Sequence, residues 1–91
     1  MKAFKTVGEN VDGDEGFQLT FGNGNTISVI FGKYSYSDQG ETTAEVAAWN
    51  SNEEWMLFQD GKWIIIEQNS EVMPRCTPGE VAEMIFTLSK L

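Results

Sequence analysis

Apolar and polar residues alternate through much of the chain, in short runs separated by residues that favour turns. Alternation with a period of two is typical of strands that bury one face. The runs 17–21 and 26–31 flank Gly22-Asn-Gly-Asn25, and Gly and Asn readily adopt the positive φ of a tight turn. These runs predict a β-hairpin. One face of its second strand comprises Ile27, Val29 and Phe31.

Further strand-sized runs follow at short spacing, over 43–49, 55–58 and 63–67. The last two are separated by a turn that contains Asp60-Gly61, a strong signal for a short hairpin. Short connections favour antiparallel neighbours, so we expect a meander of four to five strands over 17–67. One face of the run 43–49 comprises Ala44, Val46 and Ala48.

The first 16 residues are interpreted as an N-terminal edge strand followed by an acidic loop. Residues 2–7 include two lysines, which suit an edge that must not pair with another chain. Residues 8–16 are rich in Gly, Asp and Glu. Their spacing does not match a calcium-binding EF-hand loop, so we expect a solvated turn there.

One helix is predicted over 77–91. Thr77-Pro-Gly-Glu80 places a hydroxyl at the N-cap, Pro at N1 and Glu at N3, which is the capping-box arrangement. An apolar stripe follows it, formed by Val81, Met84, Ile85 and Leu88, which Leu91 could extend. We expect this stripe to pack on the sheet face that carries Ile27 and Val46. The whole chain, 1–91, is thus predicted to be one α+β domain: an antiparallel meander sheet of four to five strands with one C-terminal helix packed on one face.

The chain is strongly acidic: 14 Asp and Glu residues oppose six Lys and Arg, which gives a formal net charge of −8. This charge would be repelled by phosphate backbones, so we expect no direct binding to nucleic acid. It could serve solubility alone, or it could present a negative surface to a basic partner protein. No apolar run reaches the length of a membrane span. Cys76 is the single cysteine and no apolar leader follows Met1, so we expect a location in a reducing cytoplasm.

Histidine, the most common general base of catalytic sites, is missing from the sequence. Its absence excludes Ser-His-Asp and Cys-His nucleophilic sites and the usual zinc sites. Adjacent carboxylates such as those of Glu53 and Glu54 would point to opposite faces of a strand, which does not suit paired acid–base catalysis. We therefore expect a protein that is not an enzyme, with no catalytic residue, no metal and no cofactor. Cys76 is interpreted as a packed core residue.

One helix can cover only one face of the sheet, so the opposite face is expected to leave apolar side chains uncovered. Either this face is an interface, or the N-terminal strand and the loop 34–41 fold back over it. In an interface, the aromatic residues are the types that dominate binding energy, and acidic residues would form a charged rim around them. The candidate partner-binding residues are Tyr34, Tyr36, Asp38, Glu41, Glu45, Trp49 and Trp55.

Three sequence features follow one another along residues 17–91. They are the hairpin Phe21-x-Asn-Gly-x-Thr-x-Ser-Val-x-Phe-Gly32, the strand Ala44-Glu-Val-Ala-x-Trp49 followed by Trp55, and the helix start Pro78-Gly-Glu-Val81. With these features the chain resembles a group of small phage and prophage proteins, although its loop is shorter and its helix start has one inserted residue. The resemblance implies a viral accessory protein rather than a virion component. It supplies no catalytic residues.

These observations favour a phage-type accessory protein that binds and inhibits a host protein, in particular a defence protein. Its acidic residues would occupy a basic groove that normally grips nucleic acid, while aromatic residues anchor the contact. The alternative is a homo-oligomeric sponge that sequesters a small nucleotide signal, with Tyr or Trp stacked on the base and Arg75 or Lys33 on phosphate. A third possibility is an assembly module, for which a self-complementary sheet edge would be the distinguishing feature.

Overall fold

The computed structural model describes residues 2–5, 15–33, 35–67 and 71–91. Within these ranges the chain forms one antiparallel sheet and one helix. The strands are β1 (Gly16–Thr20), β2 (Thr26–Ile30), β3 (Ala44–Trp49), β4 (Trp55–Gln59), β5 (Lys62–Ile65) and β6 (Met73–Cys76), and the helix is α1 (Pro78–Ser89). The predicted α+β class and the antiparallel meander with a C-terminal helix are therefore confirmed.

The first five strands follow one another across the sheet in chain order. Three of the four connections are turns of two to five residues, whereas the longer loop 31–43 joins β2 to β3. In the turn between β4 and β5, Asp60 and Gly61 have φ values of 51° and 75°, and they lie between the paired residues Gln59 and Lys62. Two successive positive φ values define the two-residue hairpin turn whose twist matches that of the flanking strands. The Asp60-Gly61 signal is thus confirmed.

The strand β6 was not predicted from the sequence, and it changes the architecture around β3. It pairs with the N-terminal half of β3, through Ala44 and Cys76, whereas β4 pairs with the C-terminal end, through Ala48 and Met56. Two strands therefore share one edge of β3. The segment 73–76 lacks alternation and contains Pro, a residue confined to sheet edges and bulges, which explains why its sequence is not typical of a strand.

The N-terminal segment differs from the prediction of an edge strand over 2–7. The described residues 2–5 contain no strand. Instead, the backbone N–H groups of Ala3 and Phe4 donate to the carbonyls of Glu41 and Gly40, at 2.9 and 2.8 Å. The segment is therefore held by a loop rather than by a strand. The two backbones approach closely at Gly40, where a Cβ atom would lie 2.6 Å from the Phe4 carbonyl oxygen. Residues 6–14, with most of the predicted acidic loop, lie outside the described residues.

The core lies between α1 and one face of the sheet, as the sequence predicts. Val81, Met84 and Leu88 of the helix are buried, and Leu88 is fully inaccessible. The sheet contributes six predicted side chains to the same cluster: Ile27, Val29, Phe31, Ala44, Val46 and Ala48. Ile85 is partly buried against this cluster, whereas Leu91 is 61% exposed and does not extend the stripe.

Side chains cap both ends of α1. At the N-terminus, Thr77 and Glu80 form the predicted capping box. At the C-terminus, the side-chain amides of Asn23 and Asn25 donate to the carbonyl of Leu88, at 2.9 and 3.3 Å, and Asn23 also reaches the carbonyl of Leu91 at 2.9 Å. The last carbonyls of a helix lack partners within the helix, so these amides fasten it to the β1–β2 turn. Within the described ranges, no helix is long and apolar enough to cross a membrane.

We expect Leu88→Ala to lower the free energy of unfolding by about 3 kcal/mol, because it empties a fully buried site that the neighbouring side chains cannot refill. Leu91→Ala removes the same atoms at an exposed position, so its effect should stay within about 0.5 kcal/mol. Urea unfolding followed by far-ultraviolet circular dichroism measures both. Equal losses for the two variants would contradict the placement of α1.

Candidate functional site

The sheet face opposite α1 carries a row of aromatic and aliphatic side chains. Directly paired residues of an antiparallel sheet share a face. Trp49 of β3 pairs with Trp55 of β4, and Leu57 of β4 pairs with Ile64 of β5. Ile30 of β2 pairs with Glu45, which lies on the same face of β3 as Trp49. We call the surface formed by these side chains the aromatic face: Ile30, Trp49, Trp55, Leu57 and Ile64.

The two tryptophans form the centre of the aromatic face. Their ring centroids lie 5.2 Å apart with an angle of 43° between the planes, and both side chains are half-buried. This tilted geometry is among those that aromatic pairs prefer, and a cross-strand aromatic pair stabilises the strands that carry it. The pair therefore contributes to β3–β4 pairing and still presents indole surface to solvent.

Two aliphatic residues of the aromatic face are exposed. Ile30 is 38% exposed and Ile64 is 41% exposed. The N-terminal segment does not cover them within residues 2–5, because the ring of Phe4 packs instead on Phe31, with centroids 5.6 Å apart, and Phe31 belongs to the core beneath α1. The described residues show both possibilities left open by the sequence in part: the loop that carries Tyr36 covers the face at Glu45, whereas Ile30 and Ile64 stay exposed.

Tyr36 stands beside the aromatic face on a firmly held backbone. Its N–H donates to Oε1 of Glu45 at 2.9 Å, and its carbonyl accepts from the N–H of Arg75 at 3.0 Å. The residue is 64% exposed, the largest exposure among the large hydrophobic residues of the described chain. A large aromatic ring on an ordered backbone loses little entropy when a partner covers it, which is the property of a binding anchor.

Glu45 does not lie in an exposed rim, contrary to the expectation for this residue. It is only 9% exposed, and its carboxylate accepts the N–H of Tyr36. Its neighbours in β3 explain the burial, since Ala44 and Val46 point into the core and Glu45 faces the loop that returns over the start of the strand. The carboxylate therefore anchors the loop and is not available to a partner.

Asp38 organises the same loop from the solvent side. Its carboxylate accepts from the backbone N–H groups of Thr42 and Thr43 and from both threonine hydroxyls. These donors, led by the Thr42 hydroxyl, hold the pKa of the Asp38 carboxyl well below its usual range. The residue keeps its negative charge at the surface, but its oxygens are already engaged in the turn.

Of the two remaining predicted residues, the structure describes Glu41 and does not describe Tyr34. Glu41 is exposed, and its carbonyl accepts the N–H of Ala3 at 2.9 Å, so its backbone is held while its side chain lies at the surface. Tyr34 lies outside the described residues. The structure thus brings Tyr36, Asp38 and Glu41 onto one loop, with Trp49 and Trp55 on the adjoining sheet.

A shallow depression extends the aromatic face at β4 and β5, and it was not predicted. It has a volume of about 360 Å³ and is lined by Leu57, Ile66, Glu67 and Glu71. Alternation in the run 55–58 places Leu57 with Trp55, which is a signal that could have identified the apolar wall. The carboxylates come from the connection to β6, and that strand has no clear sequence signature.

The described residues offer no arrangement for metal binding: among them, no three Cys, Asp or Glu side chains come together in a way that could hold an ion. Cys76 is buried at the junction of β6 and α1. Its removal from solvent, assisted by the charge of Glu80, raises the pKa of the thiol to about 11. At neutral pH the thiol is thus protonated, which does not suit a nucleophile.

Comparison of the chain with models of protein families, with curated protein sequences and with solved structures found no match. The aromatic face and its flanking loop are therefore interpreted from their own geometry.

Glu45→Ala is expected to lower the free energy of unfolding by about 1–3 kcal/mol, because it removes the acceptor of the Tyr36 N–H at a buried position. The matched control is Glu41→Ala, four residues earlier at an exposed position, with an effect within about 0.5 kcal/mol. Chemical denaturation of the two variants provides the comparison. If both behave like the wild type, the carboxylate of Glu45 does not hold the loop.

The thiol of Cys76 should react slowly with a disulfide reagent, and its rate should depend on pH in a characteristic way. Only the thiolate reacts. With a pKa of about 11, rather than the ordinary 9.0, the folded protein at pH 8 should react about 100-fold more slowly than the urea-unfolded chain. Its rate should keep rising with pH to about 11, whereas the unfolded chain levels off above pH 9. A plateau near pH 9 in the folded protein would contradict the assignment.

Proposed function

We propose that this chain is a non-enzymatic, phage-type accessory protein that binds and inhibits a host protein through the aromatic face and the Tyr36 loop. The observation that carries the proposal is the combination of a half-buried Trp49–Trp55 pair with the exposed Tyr36 ring, whose backbone is held by Glu45 of the same strand as Trp49. Large aromatic side chains at the centre of a surface are the groups that most often dominate binding energy. The phage context rests on the sequence resemblance described above.

The charge of the chain supports a basic partner. The formal net charge is −8, and the loop beside the aromatic face carries Asp38 and Glu41 at the surface. Complementary charge accelerates association and disfavours partners of the same sign. A protein whose basic groove normally holds nucleic acid fits this surface, and occupation of that groove would inhibit it. Glu67 and Glu71, at the depression on the other side of the tryptophans, add negative charge to the same face.

A second candidate function is supported by the position of Arg75. The backbone N–H of Arg75 donates to the carbonyl of Tyr36, so an exposed guanidinium and an exposed phenol ring originate from neighbouring points of the fold. A guanidinium beside an aromatic ring is the combination that binds a phosphate and stacks a base. This arrangement favours a small nucleotide ligand, sequestered by an oligomer of this chain.

The test is affinity capture from host lysate with the wild type and two variants, followed by native mass spectrometry and by measurement with the purified partner. Tyr36→Ala removes an exposed ring without touching its backbone anchors, and we expect it to weaken binding at least about tenfold. Phe86→Ala is the matched control, because this ring is 62% exposed but lies on α1, away from the aromatic face. Its affinity should equal that of the wild type.

The partner's own activity decides whether binding is inhibition. Wild-type protein should abolish it, Tyr36→Ala should restore it, and the dissociation constant should rise with added salt as exposed charges are screened. Equal binding by Tyr36→Ala and the wild type would exclude the Tyr36 ring as an anchor of the binding surface. A bound mass below about 1 kDa, lost in Arg75→Ala, would replace the proposal with the nucleotide sponge.

A further inference from the structure

Among the described strands, β1, β5 and β6 each have an edge to which a further strand could be added, and two of these edges carry features that discourage it. The strand β5 begins with Lys62, and β6 contains Pro74, the charge of Arg75 and a bulge against β3. Charge, Pro and bulges are the means by which proteins protect sheet edges from pairing with another chain. These two edges are therefore poor sites for strand addition.

The edge formed by β1 has none of these features. The strand Gly16–Thr20 contains no charged residue and no Pro, and all five residues are exposed. Its pairing with β2 is regular, without a bulge. Phe17 and Leu19 are 41% and 39% exposed although they lie on the same face as the core residues Val29 and Ile27, with which they pair. An exposed, uncharged and regular edge of this kind is a site for pairing with another strand.

The hydrogen bonds of the hairpin determine which backbone groups of β1 face outward. At its two ends, Phe21 donates to the carbonyl of Asn25 and Phe31 donates to the carbonyl of Glu15, both at 2.9 Å. Hydrogen-bonded and non-bonded pairs alternate along an antiparallel ladder. Phe17 and Leu19 consequently direct their N–H and C=O groups towards β2. The outward-facing groups belong to Gly16, Gln18 and Thr20.

We propose that two copies of this chain pair antiparallel along β1, with the two-fold axis passing through Gln18. In this register Gln18 faces Gln18 of the second copy, and Gly16 faces Thr20, so every outward backbone group of β1 finds a partner. The contact contains about six hydrogen bonds between backbones. Phe17 of each copy lies opposite Leu19 of the other, in the closer type of antiparallel pair, and these two exposed apolar side chains cover one another.

The charge of the chain restricts where a second copy can bind. Two molecules with a net charge of −8 repel one another, so self-association requires a contact without charge, and β1 provides one. Glu15 precedes β1 directly. Antiparallel pairing places the two Glu15 residues at opposite ends of the contact, about 20 Å apart. This distance exceeds the screening length of about 8 Å at physiological salt, so their repulsion is small.

Sedimentation velocity of the full chain from about 5 to 500 µM tests the proposal. A contact of one strand edge is at the small end of specific interfaces, so we expect a dimer with a dissociation constant on the order of 10 µM. Gln18→Glu places two like charges opposite one another and should weaken the dimer at least about tenfold. Gln59→Glu makes the same change at an exposed position on β4 and should leave the dimer unchanged.

A backbone variant and an exchange measurement locate the contact on β1. Gln18→Pro removes an outward N–H that does not bond β2, so it should abolish the dimer while circular dichroism shows a folded protein. Amide exchange at Gly16, Gln18 and Thr20 should slow as concentration rises from monomer to dimer. A monomer at all concentrations overturns the proposal, and so does a dimer that survives both Gln18 variants. Strand addition only by a peptide of another protein, with no self-association, would also overturn it.

Discussion

The structure depends on the packing of one helix on one face of a sheet. The apolar stripe of α1, with Leu88 fully buried, covers the face built from Ile27, Val29 and Val46. Ala44 and Ala48 on the same face are small, which allows the helix backbone to approach the sheet closely. A chain of 91 residues buries a modest share of its surface, so this single layer provides most of its apolar burial. Within the described residues the opposite face has no helix packed on it, and the loop that carries Tyr36 covers it around Glu45.

The second consequence of this packing concerns β3, which connects the core to the surface features. One half of its outer edge pairs with β4 and the other half with β6, and its two faces serve different purposes. Val46 faces the core, the Glu45 carboxylate accepts the N–H of Tyr36, and Trp49 packs against Trp55. The loop that carries Tyr36 and Asp38 is therefore fastened to the central strand on one side and to the N-terminal segment on the other. Exposed side chains on this loop are held by the most buried strand of the molecule.

The proposed partner surface and the proposed dimer contact are compatible because they use different parts of the sheet. The aromatic face lies over β2 to β5, whereas β1 forms the edge of the sheet beyond them. Pairing along β1 would extend the sheet and place two aromatic faces on one molecule, which increases the apparent affinity for a partner that presents two sites. Charge separates the two surfaces as well, since acidic residues flank the aromatic face and β1 has none.

Local patterns in the sequence determined the hairpins, the helix with its capping box and the residues that form the core, because alternation, turn residues and capping depend on neighbours in the chain. They also identified Trp49 as belonging to the face opposite the helix. Only the tertiary structure decided the rest. Residues 2–5 bond a loop and not a strand, and β6 pairs with β3 although Pro interrupts its pattern. Glu45 is buried and accepts the N–H of Tyr36, and the side-chain amides of Asn23 and Asn25 donate to the carbonyl of Leu88 at the end of α1. These contacts join residues far apart in the chain, and no local pattern of apolar and polar residues encodes such partners.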